Sequence, residues 1–379
     1  MDPTTLLLAA AETRDGDVAG AIERVGAEAA ARAVFDEVLF RARLDEIAAP
    51  DGAATVLTLV HDGAEHRFPV PNPSAYPDLP PVVITQGLAE CVRALYGPRE
   101  SVTDGTRTVR WPGAEVVERE YAKNPPPATW AAPVQRLLDV LDRRDAPTLS
   151  RLAVYTGTDK WGPLHQYALP YEQHLASFRD RRLTVLEIGV GGYEDPTDGG
   201  ESLRMWKHYF PRALVYGLDV VDKQAVDEPR VTTFRVDQAD PDALRAVVER
   251  IGPPDIVVDD GSHVSAHVIS SFTTLFPLLR HGGLYIVEDV QTSFWPFLFQ
   301  GSEDDLNDTA YTLGFLKQLV DGLHHQEYLR ADTWKPLPTD QTVRGVHFYH
   351  NLVVVEKGPN RDGSPVADAL RAGAWTSDD

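Results

Sequence analysis

The sequence predicts an α/β protein in which a mostly parallel sheet, closed by a late antiparallel hairpin, follows a smaller α-rich domain. Two observations support this. From about residue 152, short apolar runs alternate with helical stretches, which is the pattern of a doubly wound sheet. Three of these runs end in carboxylates, at Glu187, at Asp259-Asp260 and at Glu288-Asp289. Because ligands of such sheets bind outside the carboxyl ends of the strands, we expect these acids to meet at one site.

Length, charge and cysteine content narrow the class of protein. The 379 residues predict two domains, at 1–150 and 151–379, and 43% apolar residues are enough for two cores. The net charge of −21 disfavours nucleic acid and anionic membranes as partners. The single cysteine, Cys91, excludes an internal disulfide and favours a reducing, cytoplasmic location. The apolar run Leu6–Ala11 is too short to span a bilayer and follows no basic residue, so we predict no membrane segment or signal peptide.

The N-terminal domain, residues 1–150, carries no phosphate loop, metal cluster or nucleophile motif in its sequence. Its first 48 residues have helical patterning that is interrupted near Asp15-Gly16-Asp17. Residues 55–60 and 65–70 flank Asp62-Gly63, a strong turn signal, and therefore predict a hairpin. The prolines at 125–127 predict a connector before a helix at about 129–144. We interpret this domain as an auxiliary or oligomerisation domain.

The second domain, residues 151–379, is predicted to carry the sheet. The expected strands lie near 183–188, 214–218, 231–236, 255–259 and 284–288, and the expected helices lie at about 201–210, 241–251, 264–279 and 306–324. Residues 343–348 and 352–356 predict a final strand pair joined by Tyr349-His350-Asn351. A parallel sheet closed by such a hairpin favours methyltransferases over dehydrogenases.

A glycine-rich loop, Gly189-Val190-Gly191-Gly192, directly follows the first strand of this sheet. Glycines there allow the backbone to turn sharply and to approach a ligand closely. Asp219 ends the next strand, where its carboxylate is placed to accept hydrogen bonds from two ribose hydroxyls. Asp237-Gln238 ends the third strand, where the pair is placed to hold an adenine amino group and ring nitrogen. The alternative for both acids is that they cap the helices that follow.

This loop could alternatively bind a nicotinamide cofactor. The dinucleotide fingerprint requires a helix that begins within the glycine motif and binds the pyrophosphate at its N-terminus. Here Tyr193–Asp198 intervenes and brings three acids, which would repel a pyrophosphate. A sulfonium cofactor has no phosphate and would tolerate them.

Asp260, Glu288 and Asp289 are candidate metal ligands, and because all the donors are oxygens, they suit magnesium or manganese rather than zinc. Strand alternation sends Asp259 to the opposite face, so we expect it to be structural. His263, three residues after Asp260, is a candidate general base. Metal coordination lowers the pKa of a hydroxyl, and the histidine would take its proton during attack on a methyl group.

Three further stretches have two interpretations each. Thr158–Trp161, with His165 and Tyr171, either covers the cofactor or caps a helix and joins the domains. Gln291–Pro296 and Tyr193 either line an acceptor pocket or belong to the core.

The chain resembles the S-adenosylmethionine- and magnesium-dependent O-methyltransferases that modify sugars on macrolides and related actinobacterial natural products. The resemblance covers about residues 150–357 and rests on seven stretches: Thr158–Trp161, Leu186–Tyr193, Ser202–Trp206, Tyr216–Asp219, Asp259–His263, Gly283–Asp289 and His347–Leu352.

The resemblance implies a Rossmann-like class I methyltransferase domain and a homotetramer, with a small-molecule glycoside as substrate. It implies that magnesium binds Asp260, Glu288 and Asp289 and that His263 accepts the proton. Nine residues would contact the cofactor: Glu187, Gly189, Gly191, Gly192, Ser202, Asp219, Asp237, Gln238 and Asp260. Two alternatives stay open: methylation of a phenolic or catechol hydroxyl by the same site, and a non-catalytic cofactor-binding module.

Overall fold

The computed structural model describes residues 2–13, 15–47, 52–71, 80–98, 104–112, 131–144, 146–330, 332–335 and 337–373. It forms two compact units. The first comprises Met1–Thr148, Ser177–Arg181 and His208–Arg212, and the second comprises Leu149–Ala176, Arg182–Lys207 and Ala213–Asp379. The connector predicted at residues 125–127 lies outside the described residues.

The first unit contains helices and a four-stranded sheet of order β2-β1-β3-β4. Its helices are α1 (Pro3–Ala10), α2 (Asp15–Val25), α3 (Ala27–Ala42), α4 (Leu88–Tyr96) and α5 (Ala132–Leu141), and its strands are β1 (Thr55–His61), β2 (Ala64–Pro69), β3 (Val82–Gly87) and β4 (Thr108–Arg110). The predicted hairpin is confirmed, because β1 and β2 pair antiparallel. Asp62 and Gly63 between them have φ of 48° and 79°, as a two-residue type I′ turn requires.

The strands β3 and β4 extend this sheet beyond the predicted hairpin. β3 pairs parallel with β1, and β4 pairs antiparallel with β3. β4 has only three residues and none of them is buried, so its sequence carries no apolar pattern from which a strand is recognised. The unit is therefore richer in sheet than the sequence indicates.

After residue 148 the chain alternates helices and strands as predicted. The helices are α6 (Leu149–Thr156), α7 (Ala168–Leu175), α8 (Glu201–Tyr209), α9 (Pro241–Ile251), α10 (Ser265–Leu275), a short turn at Pro296–Phe299, α11 (Thr312–Leu323) and α12 (Pro365–Arg371). The strands are β5 (Leu183–Ile188), β6 (Ala213–Asp219), β7 (Val231–Arg235), β8 (Ile256–Asp259), β9 (Leu284–Val287), β10 (Val343–Tyr349) and β11 (Leu352–Lys357).

The seven strands form one sheet of order β10-β11-β9-β8-β5-β6-β7. The pairs within β5–β9 are parallel, and β11 and β10 add the antiparallel hairpin. All residues of β8 and β9 are buried, because helices cover both faces of the sheet. Since β8 lies between β5 and β9, the carboxyl ends of these three strands are neighbours, as the acidic strand ends predict.

The helix predicted at 306–324 begins later than expected, at Thr312. Residues before it form turns closed by side chains: Asp305 accepts a hydrogen bond from the backbone N–H of Asn307 at 2.9 Å, and Asp308 accepts one from that of Ala310 at 2.9 Å. Such aspartate turns compete with helical hydrogen bonds, so the helix cannot begin until they end. Among the described residues, no helix is both long and apolar enough to cross a membrane.

Candidate active site

The glycine-rich loop after β5 lies directly against the end of β8. Gly189, Gly191 and Gly192 have φ of 93°, 81° and 68°. A Cβ atom at Gly189 would lie 2.1 Å from the backbone oxygen of Asp260, and one at Gly192 would lie 2.2 Å from that of Asp198. Glycine is therefore required for both the backbone conformation and the close approach.

We expect Gly189→Ala to lower the free energy of unfolding by more than the about 1–2 kcal/mol that a left-handed backbone alone costs an L-residue. The added methyl group meets backbone rather than a movable side chain. Gly157→Ala is the matched control, because Gly157 has φ of 83° but nothing within 4 Å of its Cβ position. Urea unfolding measures both losses, and equal losses would contradict this role of the close approach.

The two acids predicted to hold ribose and adenine stand at the same edge of the sheet. Asp219 accepts hydrogen bonds from the backbone N–H groups of Val190, at 3.1 Å, and Val221, at 2.9 Å, so it also fixes the glycine loop. Asp237 is exposed, and its Oδ1 accepts a hydrogen bond from the backbone N–H of Ala239 at 2.8 Å. It does not cap α9, because Asp240 is the residue in that position.

Gln238, predicted to contact adenine, makes its hydrogen bonds to other residues of the protein. Its side chain is buried, and its Nε2 donates to Asp259 at 2.6 Å and to Ser271 at 3.2 Å. Its Oε1 accepts a hydrogen bond from the backbone N–H of Ser262 at 3.0 Å. Both amide protons are thus used inside the protein, where Gln238 positions the loop that follows β8, and its contact with the adenine stays a prediction.

Glu187 is fully buried at the end of β5. Its Oε2 accepts hydrogen bonds from Ser202 Oγ at 3.0 Å and from Trp206 Nε1 at 2.9 Å. The Ser202 hydroxyl proton is thus used by Glu187, and contact between Ser202 and the cofactor stays a prediction. The other oxygen, Oε1, has no hydrogen-bond partner but lies 3.3 Å from Lys160 Nζ. Burial raises the pKa of Glu187 to about 7, although the charge of Lys160 opposes this shift.

The three predicted metal ligands, Asp260, Glu288 and Asp289, lie close together. Two of them contact Lys160 on one side of the site, and two lie near His263 on the other side. Asp260 Oδ2 and Glu288 Oε1 are each 2.7 Å from Lys160 Nζ. On the other side, His263 Nε2 lies 4.0 Å from Asp260 Oδ1 and 3.6 Å from Asp289 Oδ2. Two sets of ligand atoms each lie within 4.8 Å of one another: Glu187, Asp260 and Glu288, and Asp260, His263 and Asp289. Asp260 therefore joins the two groups.

Lys160 is the central residue that sequence reasoning did not identify. It is 1% exposed and contacts carboxylates from three strand ends, β5, β8 and β9. Tyr171 donates a hydrogen bond to the same Oε1 of Glu288. The sequence leaves two interpretations for Thr158–Trp161, and only the fold brings Lys160 to Asp260 and Glu288, which lie 100 and 128 residues away along the chain.

His263 and Asp289 are held by an unusual backbone. Their φ values are 55° and 51°, which lie in the left-handed region that residues other than glycine rarely adopt. The Thr292 hydroxyl lies 3.1 Å from the backbone oxygen of His263 and 2.7 Å from that of Asp289, so it ties the two loops together. Such strain is typical of functional sites, where the surrounding structure imposes it.

The carboxylate of Asp289 is stabilised by hydrogen bonds and by a nearby imidazole. Tyr167 donates to its Oδ1 at 2.5 Å, and His165 Nδ1 lies 3.5 Å from the same oxygen. Burial raises its pKa, but hydrogen bonds from Tyr167 and Gln291 outweigh this, so the net pKa is lowered. Asp289 is therefore ionised and ready to bind a cation.

Asp259 is placed as its strand alternation predicts. It is 1% exposed and accepts hydrogen bonds from Gln238, Ser271 and Tyr285, the last at 3.0 Å. Burial raises its pKa to about 6. These contacts connect β8 to α10 and β9 and are structural.

The aromatic stretch after Asp289 is not part of a core. Trp295, Phe297 and Leu298 are 49%, 84% and 89% exposed, and Tyr193 is 93% exposed. The ring of Phe299 lies 6.1 Å from that of His263. Through Phe299, whose ring lies 6.0 Å from that of Trp295, this exposed stretch is connected to His263.

The charges of this site fit a divalent cation. Four carboxylates, Glu187, Asp260, Glu288 and Asp289, make up the two groups, and Lys160 contacts only the first three of them. Burial together with the Asp260 charge raises the pKa of Glu288. An excess of buried acid is costly unless a further cation compensates it. The hard oxygen donors of Asp260, Glu288 and Asp289 are those that Mg²⁺ and Mn²⁺ prefer.

Comparison with known proteins gives consistent matches over most of the chain. Residues 4–107 match the family model described as MycE methyltransferase N-terminal. The 8-demethyl-8-alpha-L-rhamnosyl tetracenomycin-C 2'-O-methyltransferase of Streptomyces olivaceus is 48% identical over 93% of this chain and 92% of its own length. The demethylmacrocin O-methyltransferase of Streptomyces fradiae is 38% identical over 94% of this chain and 91% of its own.

A solved structure agrees with these relatives. MycE methyltransferase from the mycinamycin pathway, in complex with Mg, S-adenosylhomocysteine and mycinamycin VI, superposes with a TM-score of 0.84 at 33% identity and covers 95% of this chain and 94% of its own. The sheet order, the glycine loop and the acidic strand ends described above are thus found in a chain that matches methyltransferases over nearly its whole length. The chain belongs to the family of sugar O-methyltransferases that includes MycE and the rhamnosyl tetracenomycin-C O-methyltransferases.

Proposed function

We propose that this chain transfers a methyl group from S-adenosylmethionine to a hydroxyl of a deoxysugar on a glycosylated natural product, with Mg²⁺ bound to Asp260, Glu288 and Asp289. The observation that carries the proposal is the convergence of the glycine loop, three acidic strand ends and His263 at one edge of the sheet. The named substrates of the relatives, a rhamnosyl tetracenomycin and a macrolide, support a glycoside acceptor.

The residues divide the chemistry among them. The glycine loop lets the main chain approach the cofactor closely, through Gly189, Gly191 and Gly192. The carboxylates of Asp219 and Asp237 accept hydrogen bonds from the hydroxyl and amino groups of the cofactor. A divalent cation, when bound, lowers the pKa of the acceptor hydroxyl. His263 takes the hydroxyl proton at Nε2 while the acceptor oxygen attacks the methyl carbon and the carbon–sulfur bond breaks to leave S-adenosylhomocysteine. Asp289, 3.6 Å from that nitrogen, favours the protonated imidazole that results.

Calorimetry of S-adenosylhomocysteine binding, with and without Mg²⁺, tests this assignment. We expect wild type to bind both, Asp237→Asn to lose affinity for the nucleoside, and Asp289→Asn to lose affinity for Mg²⁺. Asp242→Asn is the control, because the Asp242 side chain is 94% exposed and lies on α9. Removing the metal with a chelator should abolish methyl transfer to a rhamnosyl glycoside.

The opposite result would reject the proposal. If wild type binds no S-adenosylhomocysteine, the cofactor assignment is wrong. If chelation leaves methyl transfer unchanged, the metal assignment is wrong, and the non-catalytic module predicts that chelation changes nothing at all. The homotetramer, the auxiliary role of residues 1–150 and the cytoplasmic location stay predictions.

A further inference from the structure

A second group of metal-ligating side chains lies at the β10–β11 edge of the sheet, separated by β9 and β8 from β5 and its glycine loop. His174 is in α7, His347 is in the edge strand β10 and Glu356 is in β11. One ligand atom from each lies within 4.8 Å of the others, and all three residues are half-buried. We call this the hairpin cluster. The cluster contains His347, the first residue of the His347–Leu352 stretch. The proposed function assigns no role to that stretch.

Hydrogen bonds fix the orientation of the His347 ring. Its Nε2 lies 2.9 Å from Glu356 Oε1, and an ionised carboxylate only accepts hydrogen bonds. Nε2 and Oε1 are thus the two donor atoms that face each other, and a cation bound by both would displace the proton between them, since metal ligands must be deprotonated. Gly345 leaves space for the imidazole, because a Cβ atom there would lie 3.3 Å from His347 Nε2.

The His174 ring is oriented in the same way by Tyr349. Its Nε2 lies 2.8 Å from the Tyr349 hydroxyl, which in turn donates to Gln173 Oε1 at 3.3 Å. The Tyr349 hydroxyl therefore holds the His174 ring in place. The centroids of the two imidazoles are 4.6 Å apart.

The donor types of the cluster also suit a transition-metal dication. Two imidazoles and a carboxylate are the donors that Zn²⁺ binds in sites with three protein ligands and one open position. The acid-rich group at Asp260, by contrast, offers mainly oxygen donors.

We propose that His174, His347 and Glu356 form a second metal site that binds a transition-metal dication such as Zn²⁺ and joins α7 to the β10–β11 hairpin. The site would act on the active site indirectly. α7 carries Tyr171, whose hydroxyl contacts Glu288, so a metal that anchors this helix would also hold that tyrosine in place.

Zinc titration of the full-length protein in saturating Mg²⁺ tests the proposal. The protein is first stripped with a chelator, and calorimetry then counts the equivalents of Zn²⁺, with Co²⁺ absorption reporting imidazole coordination. We expect His174→Ala and His347→Ala each to bind one equivalent fewer than wild type. Tyr349→Phe should keep the equivalent but bind it about 10–100-fold more weakly, as loss of an orienting partner does.

Two controls separate this site from others. His350→Ala removes an exposed histidine of the same hairpin and should bind as wild type does. Asp289→Asn should also keep the equivalent, because Asp289 belongs to the other group. Circular dichroism and S-adenosylhomocysteine binding verify that each variant folds. Absence of Zn²⁺ binding in wild type, or unchanged stoichiometry in both histidine variants, would overturn the proposal.

Discussion

Replacing Lys160 by methionine is expected to lower the free energy of unfolding of the catalytic unit by about 3–5 kcal/mol, the range for removing one partner of a buried ion pair. Methionine keeps the length of the side chain and removes its charge. Glu187 and Glu288, both nearly inaccessible, would then lose the cation that lies 3.3 Å and 2.7 Å from their oxygens. Urea unfolding of both proteins gives the difference.

Lys223→Met is the matched control for this experiment. Lys223 is also 1% exposed, but its Nζ donates to the backbone oxygens of Asp195, at 2.6 Å, and Asp198, at 3.1 Å. Its removal leaves neutral carbonyls unsatisfied, which costs about 1–3 kcal/mol. A similar loss in the two variants would show that Lys160 acts as an ordinary buried donor.

The dependence on pH distinguishes charge compensation from packing. Burial raises the folded-state pKa of Glu187 from 4.5 to about 7, so between these values the native state binds more protons than the unfolded state. Stability contributed by this group therefore falls as the pH rises through that window. Without Lys160 the raised pKa moves higher still. We expect the deficit of Lys160→Met to be small near pH 5 and large near pH 8, whereas a packing defect would be the same at both.

The sequence was informative where residues act close together along the chain. The apolar strands that end in Glu187, Asp260 and Glu288-Asp289 are parallel, and the carboxyl ends of parallel strands lie at one edge of a sheet. The turn at Asp62-Gly63 was equally local. Such features depend on backbone conformation and strand direction, and short stretches of sequence are enough to specify both.

Contacts made across long separations could not be predicted in the same way. Lys160 reaches Asp260 and Glu288 through the fold alone, and nothing in its neighbours along the chain indicates that it is buried. Gln238 ends a strand as a ligand-binding residue would, but the position of Ser271 on α10 turns its amide inward. The helix expected from Leu306 fails because local aspartate turns are stronger than an apolar periodicity.

Replacing His263 by asparagine is expected to lower kcat for a sugar hydroxyl by about 10²–10⁴-fold, the usual contribution of a general base. Asparagine is chosen because His263 has φ of 55°, and asparagine tolerates this left-handed conformation better than alanine does. The variant should still bind S-adenosylhomocysteine and Mg²⁺, since the acids that would hold them are unchanged. His281→Asn, at an exposed position, is the control and should retain wild-type kcat.

The same variant separates a sugar acceptor from a phenolic one. A phenol has a pKa near 10 and loses its proton far more readily than an aliphatic hydroxyl, so it needs the base less. We therefore expect His263→Asn to retain much more of its activity on a catechol than on a rhamnoside, with both measured at a fixed Mg²⁺ concentration. Full activity of His263→Asn on the rhamnoside would mean that another group takes the proton, and Asp289, whose carboxylate lies 3.6 Å from the imidazole, would be the next to replace.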